Sequence, residues 1–306
     1  MAYADEKEQT MEHSRKSSDQ ITRDYFDSLL VEMQHLDGQT PDTTFSLYGE
    51  TFSTPIMMAA LSHLKGNQEN GMVEMAKGAQ LAGAVNWAGM GDMPELEAIT
   101  ATGARTIKII KPYADNDVIF ERMEHAKKCG AMAVGMDIDH SFGGNGEPDV
   151  VLGYQMAPKS KEEIEEFVKA TELPFIVKGV LSERDAYKCM MAGVKGIVVS
   201  HHHGIMDYAV PPLMVLPDIL KVTNGEIPVF VDCGIISGMD AFKALALGAT
   251  AISAGRVIME PLRENGPEGV KDKILEMTKE LRGVMARTGC PDLQHMKHVK
   301  LRHRTF

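Results

Sequence analysis

A chain of 306 residues suits one large α/β barrel of roughly 250 residues plus extensions better than a pair of ordinary domains. A formal charge of -11, with no basic stripe to offset it, excludes a general attraction for nucleic acids or anionic membrane surfaces. No apolar run approaches the roughly 20 residues of a membrane span, and Cys129, Cys189, Cys233 and Cys290 lack CxxC spacing or a secretory leader, so a reduced cytoplasmic setting is expected.

Residues 1–18 are polar and charge-mixed and read as a mobile arm. Gln20 to Leu36 carries apolar residues at helical spacing and reads as a helix packed on the main body. The chain divides into an N-terminal arm with a helical extension over 1–50 and a barrel with a closing helix over 51–306. From Pro55 onward one unit recurs: a short apolar run, an amphipathic stretch, then a glycine followed by a small or β-branched residue. The junctions are Gly83-Ala84, Gly103-Ala104, Gly130-Ala131, Gly193-Val194 and Gly248-Ala249, each placed where a helix ends in a left-handed residue. The runs are TPIMMAA, AVNWAG, RTIKII, MAVGMDID, FIVKGV, GIVVS, VFVDCG and AISAGR, eight in all. They are apolar on both faces, as strands covered by helices must be. Ser160 with Glu163 and Ser182 with Asp185 have the spacing of capping boxes.

Eight alternating βα units predict a (β/α)8 TIM barrel with an N-terminal helical extension; a doubly wound sheet is the alternative, but no GxGxxG follows a strand. Barrel chemistry sits at the C-terminal strand ends, which here carry Asn86, Trp87, Lys111, Asp137, Asp139, Lys178, Ser200 to His203, Asp232 and Arg256. VDCGIISG and SAGR place glycines and an arginine at the ends of strands seven and eight, the donor set a phosphate needs. Lys178 closes PFIVKG, where a lysine can form a Schiff base, bind phosphate, steady charge on a cofactor ring or make a rim salt bridge. The run SHHHG offers metal ligands, a proton-handling base or a solvated loop. Successive strand side chains point to opposite faces, so His201 to His203 cannot all converge on one ion. One imidazole held by an aspartate would be a base, with Asp139 or Asp137 as the holder.

Over LPFIVKGVLSERDAYKCMMAGVKGIVVSHHHG, IPVFVDCGIISGMDAFKALALGATAISAGR and the closing ELRGVMARTGCPDL, the chain resembles the FMN-dependent α-hydroxy-acid oxidases and dehydrogenases, the family of glycolate and lactate oxidases. The resemblance runs from DYFDS to the end. It implies FMN as cofactor, His202 as catalytic base, Asp139 as its partner, Lys178 beside the flavin N1 and C2 carbonyl, and Tyr25 as a substrate contact. It places Asp232, Gly234, Gly255 and Arg256 at the ribityl-phosphate end, and Ala59, Ala60, Asn86 and Ser200 along the isoalloxazine. Trp87, Lys111, His201 and His203 are further substrate-side candidates, and no metal is implied.

The departures are as informative. The family's arginine after its SNHG segment is replaced by GIM, and a second substrate arginine falls on Gly146. Because a bidentate carboxylate clamp is arginine's particular strength, a plain small 2-hydroxy acid is not implied. A phosphate-side arginine is also lost near Ile236 and Ser237, and the family's glutamine-x-tyrosine reads IIKPY. The expected function is FMN-dependent oxidation of the CH–OH group of a 2-hydroxy-acid-like small molecule. The electron acceptor is left open among oxygen, a quinone or a protein, and a homo-oligomer, on the family pattern a tetramer, is expected. The alternatives are a flavin-dependent isomerase of the type 2 isopentenyl diphosphate kind, a flavin-binding protein without turnover, and a metal-dependent aldolase or lyase.

Overall fold

All eight apolar runs form strands of one parallel sheet in the computed structural model, which describes residues 17–66 and 68–305. The barrel strands are β1 (Ile56–Met58), β2 (Asn86–Ala88), β3 (Thr106–Ile110), β4 (Ala133–Asp137), β5 (Phe175–Val180), β6 (Gly196–Val199), β7 (Val229–Val231) and β8 (Ala251–Ala254). From β2 to β8 each strand pairs with the next in sequence, and β8 pairs with β1. Closure between β1 and β2 is made by the Met58 N–H donating to the Val85 carbonyl at 3.0 Å and by a bridge between Leu61 and Ala88.

Outside the strands lie α2 (Gly71–Leu81), α3 (Met93–Ala101), α4 (Asn116–Lys128), α5 (Lys161–Lys169), α6 (Glu183–Met191), α7 (Pro212–Thr223), α8 (Gly238–Ala246) and the kinked α9 (Met259–Arg287), preceded by α1 (Ser18–Ser28). The five junction glycines all take positive φ, between 66° and 110°. Ser160 and Glu163 form both bonds of a capping box, and the Ser182 hydroxyl accepts from the Asp185 N–H.

Alternation along each strand sends one set of side chains into the barrel and the other toward the helices. The interior set is Met57, Trp87, Ile107, Ile109, Ala133, Ile176, Val198, Phe230 and Ala251. Phe45, Leu47 and Phe52, from the hairpin Phe45–Leu47 with Glu50–Phe52, join this same cluster. A domain boundary at residue 50 therefore cuts a hairpin that belongs to the barrel core.

The N-terminal extension also differs from the expected helix over Gln20 to Leu36. The helix stops at Ser28, because Leu29–Val31 pairs antiparallel with Leu301–His303. Residues 1–16 of the expected arm lie outside the described residues. Ser18, by contrast, is fully buried, with its hydroxyl accepting from the Ala209 N–H at 2.8 Å.

Trp87 stacks edge-on against Phe230 at 5.4 Å and is 1% exposed. Replacing it by alanine is expected to cost about 3–5 kcal/mol of stability in denaturant unfolding.

Candidate active site

The interior parity of each strand, continued upward, sets which residues meet at the barrel mouth. Counting on by twos from Met57, Trp87, Ile109, Ala133, Ile176, Val198, Phe230 and Ala251 gives Ala59, Gly89, Lys111, Asp137, Lys178, Ser200, Asp232 and Ser253. All but Ser200 line a cavity of about 480 Å³, together with Ala60, Met90, His140, Val151, His202, His203, Cys233, Gly234, Gly255 and Arg256.

Asp137 is the electrostatic centre of that mouth. Its carboxylate takes Lys111 Nζ at 2.7 Å, Lys178 Nζ at 3.3 Å and His202 Nδ1 at 3.1 Å. Burial opposes its ionisation, but Lys178, His202 and Lys111 outweigh burial and hold it well below the usual carboxylate range. Asp139, on the turn beyond β4, lies 2.9 Å from the same His202 Nδ1. Burial and the neighbouring Asp137 charge push Asp139 upward. Lys178 is also within 3.6 Å of Asp232, and its ammonium is raised despite burial by Asp137, Asp232 and Asp139. For His202, burial disfavours the cation, but the two aspartates prevail and lift it to about 9.

His202 and His203 have left-handed φ of 48° and 57°, and Cys233 and Gly234 follow suit at the end of β7 with 66° and 77°. Non-glycine residues in that region are uncommon and cluster at functional sites. These turns bring the β6 and β7 loops together, the His203 N–H donating to Cys233 Sγ at 3.4 Å.

The placement separates the sequence candidates. Ala59, Ala60, Lys111, Lys178, His202, His203, Asp232, Gly234, Gly255 and Arg256 line the cavity. Asp139 and Ser200 stand behind it: the Ser200 hydroxyl accepts from the His202 N–H at 3.0 Å and lies 3.5 Å from Lys178 Nζ. Four residues depart from their expected roles. Asn86 has the outward parity of β2 and donates to Thr106 Oγ1 at 3.2 Å, away from the ring wall. Trp87 has the inward parity but lies one layer too deep, its indole N–H meeting Met57 Sδ at 3.4 Å. Tyr25 is turned to the C-terminal strand, its ring 5.6 Å from that of His303, because Thr22 and Phe26 take the face of α1 that meets the barrel.

His201 is 2% exposed, accepts the Gly204 N–H at Nδ1 (2.9 Å) and donates from Nε2 to Thr22 Oγ1 (2.8 Å). Burial holds it neutral, so it moors α1 and does no chemistry at the mouth.

His140 escaped sequence reading. It lines the cavity with Nε2 2.9 Å from His202 Nε2 and Nδ1 3.2 Å from Asp149 Oδ2. Its place directly after DID, beyond the end of β4, gave no strand parity to read. Asp137, His140 and His202 could jointly reach a metal ion, their ligand atoms lying within 4.8 Å of one another. Two ammonium groups already neutralise that carboxylate, however, which opposes a divalent cation there.

At the other end of the cavity, one oxygen of Asp19, on α1, is 2.6 Å from His203 Nδ1 and 3.2 Å from an Arg256 Nη. Arg23 fixes α1 nearby through a two-point contact with Asp240 and a bond to the Gly234 carbonyl. A Cβ built on Gly255 would lie 3.3 Å from Ala59 Cβ, so this wall is already tight without one.

The chain matches the family described as FMN-dependent dehydrogenase over residues 9–164 and 159–303. It belongs to the FMN-dependent dehydrogenase family. It is 30% identical to a peroxisomal (S)-2-hydroxyacid oxidase, GLO3, of Arabidopsis thaliana over 89% of this chain and 83% of that protein. It is also 30% identical to glycolate oxidase of Spinacia oleracea, over 83% and 79% respectively. Among solved structures, a mandelate oxidase variant with (S)-mandelic acid superposes with a TM-score of 0.87 at 27% identity, covering 95% of this chain and 91% of that one. A mandelate oxidase variant carrying an FMN adduct gives 0.85 at 28%, covering 92% and 90%. The protein is therefore an FMN-dependent oxidoreductase built on a (β/α)8 barrel, with FMN as its cofactor. The residues present suit that group: small side chains at Ala59, Ala60, Gly89 and Gly255 leave a flat wall, a lysine stands at one end, and glycines with Arg256 stand at the other.

His201→Ala removes partners from both Thr22 and Gly204. An expected loss of about 1–3 kcal/mol in thermal or denaturant unfolding follows, with the pH dependence of turnover unchanged.

Proposed function

We propose that this enzyme oxidises the CH–OH group of a 2-hydroxy-acid-like substrate whose acid group is met by Lys111 and imidazole in place of arginine. The observation that carries this is the convergence of Lys178 and His202 on Asp137 at one end of a cavity whose other end presents Gly234, Gly255 and Arg256. Bound FMN supplies a two-electron acceptor for the hydride of the carbinol C–H. Ala59 and Ala60 would flank its ring system, and Lys178 would balance negative charge on it. Gly234, Gly255, Asp232 and Arg256 would hold the ribityl-phosphate end, with His203 in the region of the lost arginine.

His202 stands where the substrate hydroxyl must give up its proton. Asp137 and Asp139 fix its Nδ1–H, which leaves Nε2 as the atom that accepts. The same two carboxylates stabilise the imidazolium once it forms. Since only the neutral ring is a base, oxidation is expected to quicken as pH rises through about 9, where His202 loses its proton.

Substrate preference follows from what the hydride end lacks. Arg256 is the one arginine among the described lining residues, and it belongs to the phosphate end. Lys111 is the remaining cation for a substrate acid, and Asp137 already neutralises it. A single ammonium is a point charge and not a fork, so it discriminates a carboxylate less strongly. Met90, Ile109 and Val151 add apolar wall, which favours bulkier or less acidic substrates over glycolate and lactate. The four cysteines are free thiols. No helix among the described residues is long and apolar enough to cross a membrane.

Anaerobic mixing of the yellow holoprotein with glycolate, lactate, mandelate and larger 2-hydroxy acids tests this reading through bleaching of the flavin. Bleaching is expected with the bulkier members, and His202→Asn is expected to slow it about 10²–10⁴-fold with FMN still bound. A holoprotein that no member of the panel bleaches would instead favour an isomerase or a flavin-binding role. Bleaching by glycolate or lactate at ordinary affinity would overturn the inference drawn from the missing arginines.

A further inference from the structure

The two imidazoles at the hydride end are closer than independent groups could be. Nε2 of His140 and Nε2 of His202 are 2.9 Å apart, with the rings nearly perpendicular and their centroids 4.1 Å apart. Two bare nitrogen lone pairs at that distance repel, and two N–H groups clash, so one proton must lie between them.

The outer nitrogens fix the rest. His140 Nδ1 faces the Asp149 carboxylate at 3.2 Å, which requires Nδ1–H. His202 Nδ1 faces Asp139 at 2.9 Å and Asp137 at 3.1 Å, and these outrank Lys178 Nζ at 3.2 Å, because a bare Nδ1 would meet both carboxylates with its own lone pair. The two rings thus hold three protons: two pinned outside and one shared. The charged and titratable groups around them are Asp149, Lys111, Asp137, Asp139 and Lys178. Burial and the cations Lys111 and His202 keep His140 the weaker base, while the aspartates make His202 the stronger.

We propose that His140 and His202 work as one base sharing a single exchangeable proton. Its role in turnover rests on the hydroxy-acid reading above; the shared proton itself does not. Before oxidation the pair must lose that proton; the two bare Nε2 atoms then repel each other, and the substrate hydroxyl, entering beside them, donates to His202 Nε2. As the O–H bond breaks, its proton returns to the shared position. The O–H electron pair forms the new carbonyl bond, and bound FMN would be the two-electron acceptor for the C–H hydrogen and its electron pair. His140, whose Nδ1 meets the partly exposed Asp149 on the loop beyond β4, is the member through which the proton then leaves. Run in reverse, the protonated pair is already charged to deliver a proton to a carbonyl oxygen.

This arrangement is distinct from a lone histidine base, because His140 then supports the charge on its partner. Taking the acceptor away in His140→Phe should lower the pH at which His202 deprotonates by about one unit, and should slow bleaching at the high-pH plateau by about 10²-fold. Asp149→Asn should move the pH profile in the same direction, by freeing the His140 tautomer.

A readout without turnover comes from 15N-histidine NMR of the protein titrated between pH 5 and 11. Expected are His140 and His202 Nε2 resonances that move together in one step, and a His202 step displaced to lower pH in His140→Phe. Independent titration of the two rings, or a His202 step unmoved by His140→Phe, would overturn the proposal even with hydroxy acids bleaching the flavin. Conversely, coupled titration without bleaching would uphold the pair and remove the substrate reading.

Discussion

One buried carboxylate organises the mouth of this barrel. Among the described residues, Asp137 is the one group that touches Lys111, Lys178 and His202 together, and without its charge three cationic side chains would crowd one desolvated space. Ion pairs in such places are poor sources of net stability, since desolvation consumes most of the attraction. What they provide here is position. Lys178 and His202 are held at fixed places at the barrel mouth, and Asp137 is the leading cause of the raised proton affinity of both.

Strand parity explains how far the sequence could be read. The eight runs, the junction glycines and the caps were legible because each is a local rule of backbone geometry, and the (β/α)8 closure follows from their count. Lys178, Asp232 and Lys111 were legible too, being polar residues that interrupt apolar runs at the inward parity. Asn86 shows where reading failed: it also interrupts an apolar run, but at the outward parity, and nothing local distinguishes the two faces when both are buried. Trp87 had the right face and the wrong depth, which depends on how strands are staggered around the cylinder. Tyr25 required knowing that the extension stops being helical at Ser28, a fact decided by a strand 270 residues away. His140 and Asp149 sit on a loop outside any strand, where alternation gives no guidance at all.

Under the proposed function, the chain keeps the base, the lysine and the glycine-arginine end of its family while changing what surrounds the substrate. Replacement of guanidinium by Lys111, His140 and apolar wall would then redistribute recognition from a rigid fork to groups that can be protonated or shielded. The three consecutive histidines occupy three different places. His201 is buried under α1, His202 lines the cavity on Asp137 and Asp139, and His203 meets Asp19 beside Arg256.

The pairing of Leu29–Val31 with Leu301–His303 staples the end of α1 to a segment far along the chain. Helix α1 in turn lies over the β6 and β7 loops through the Thr22–His201 and Arg23–Gly234 bonds. The cover over one end of the cavity therefore leans on a two-stranded contact made outside the barrel, and the cylinder's own ladder has no part in holding it.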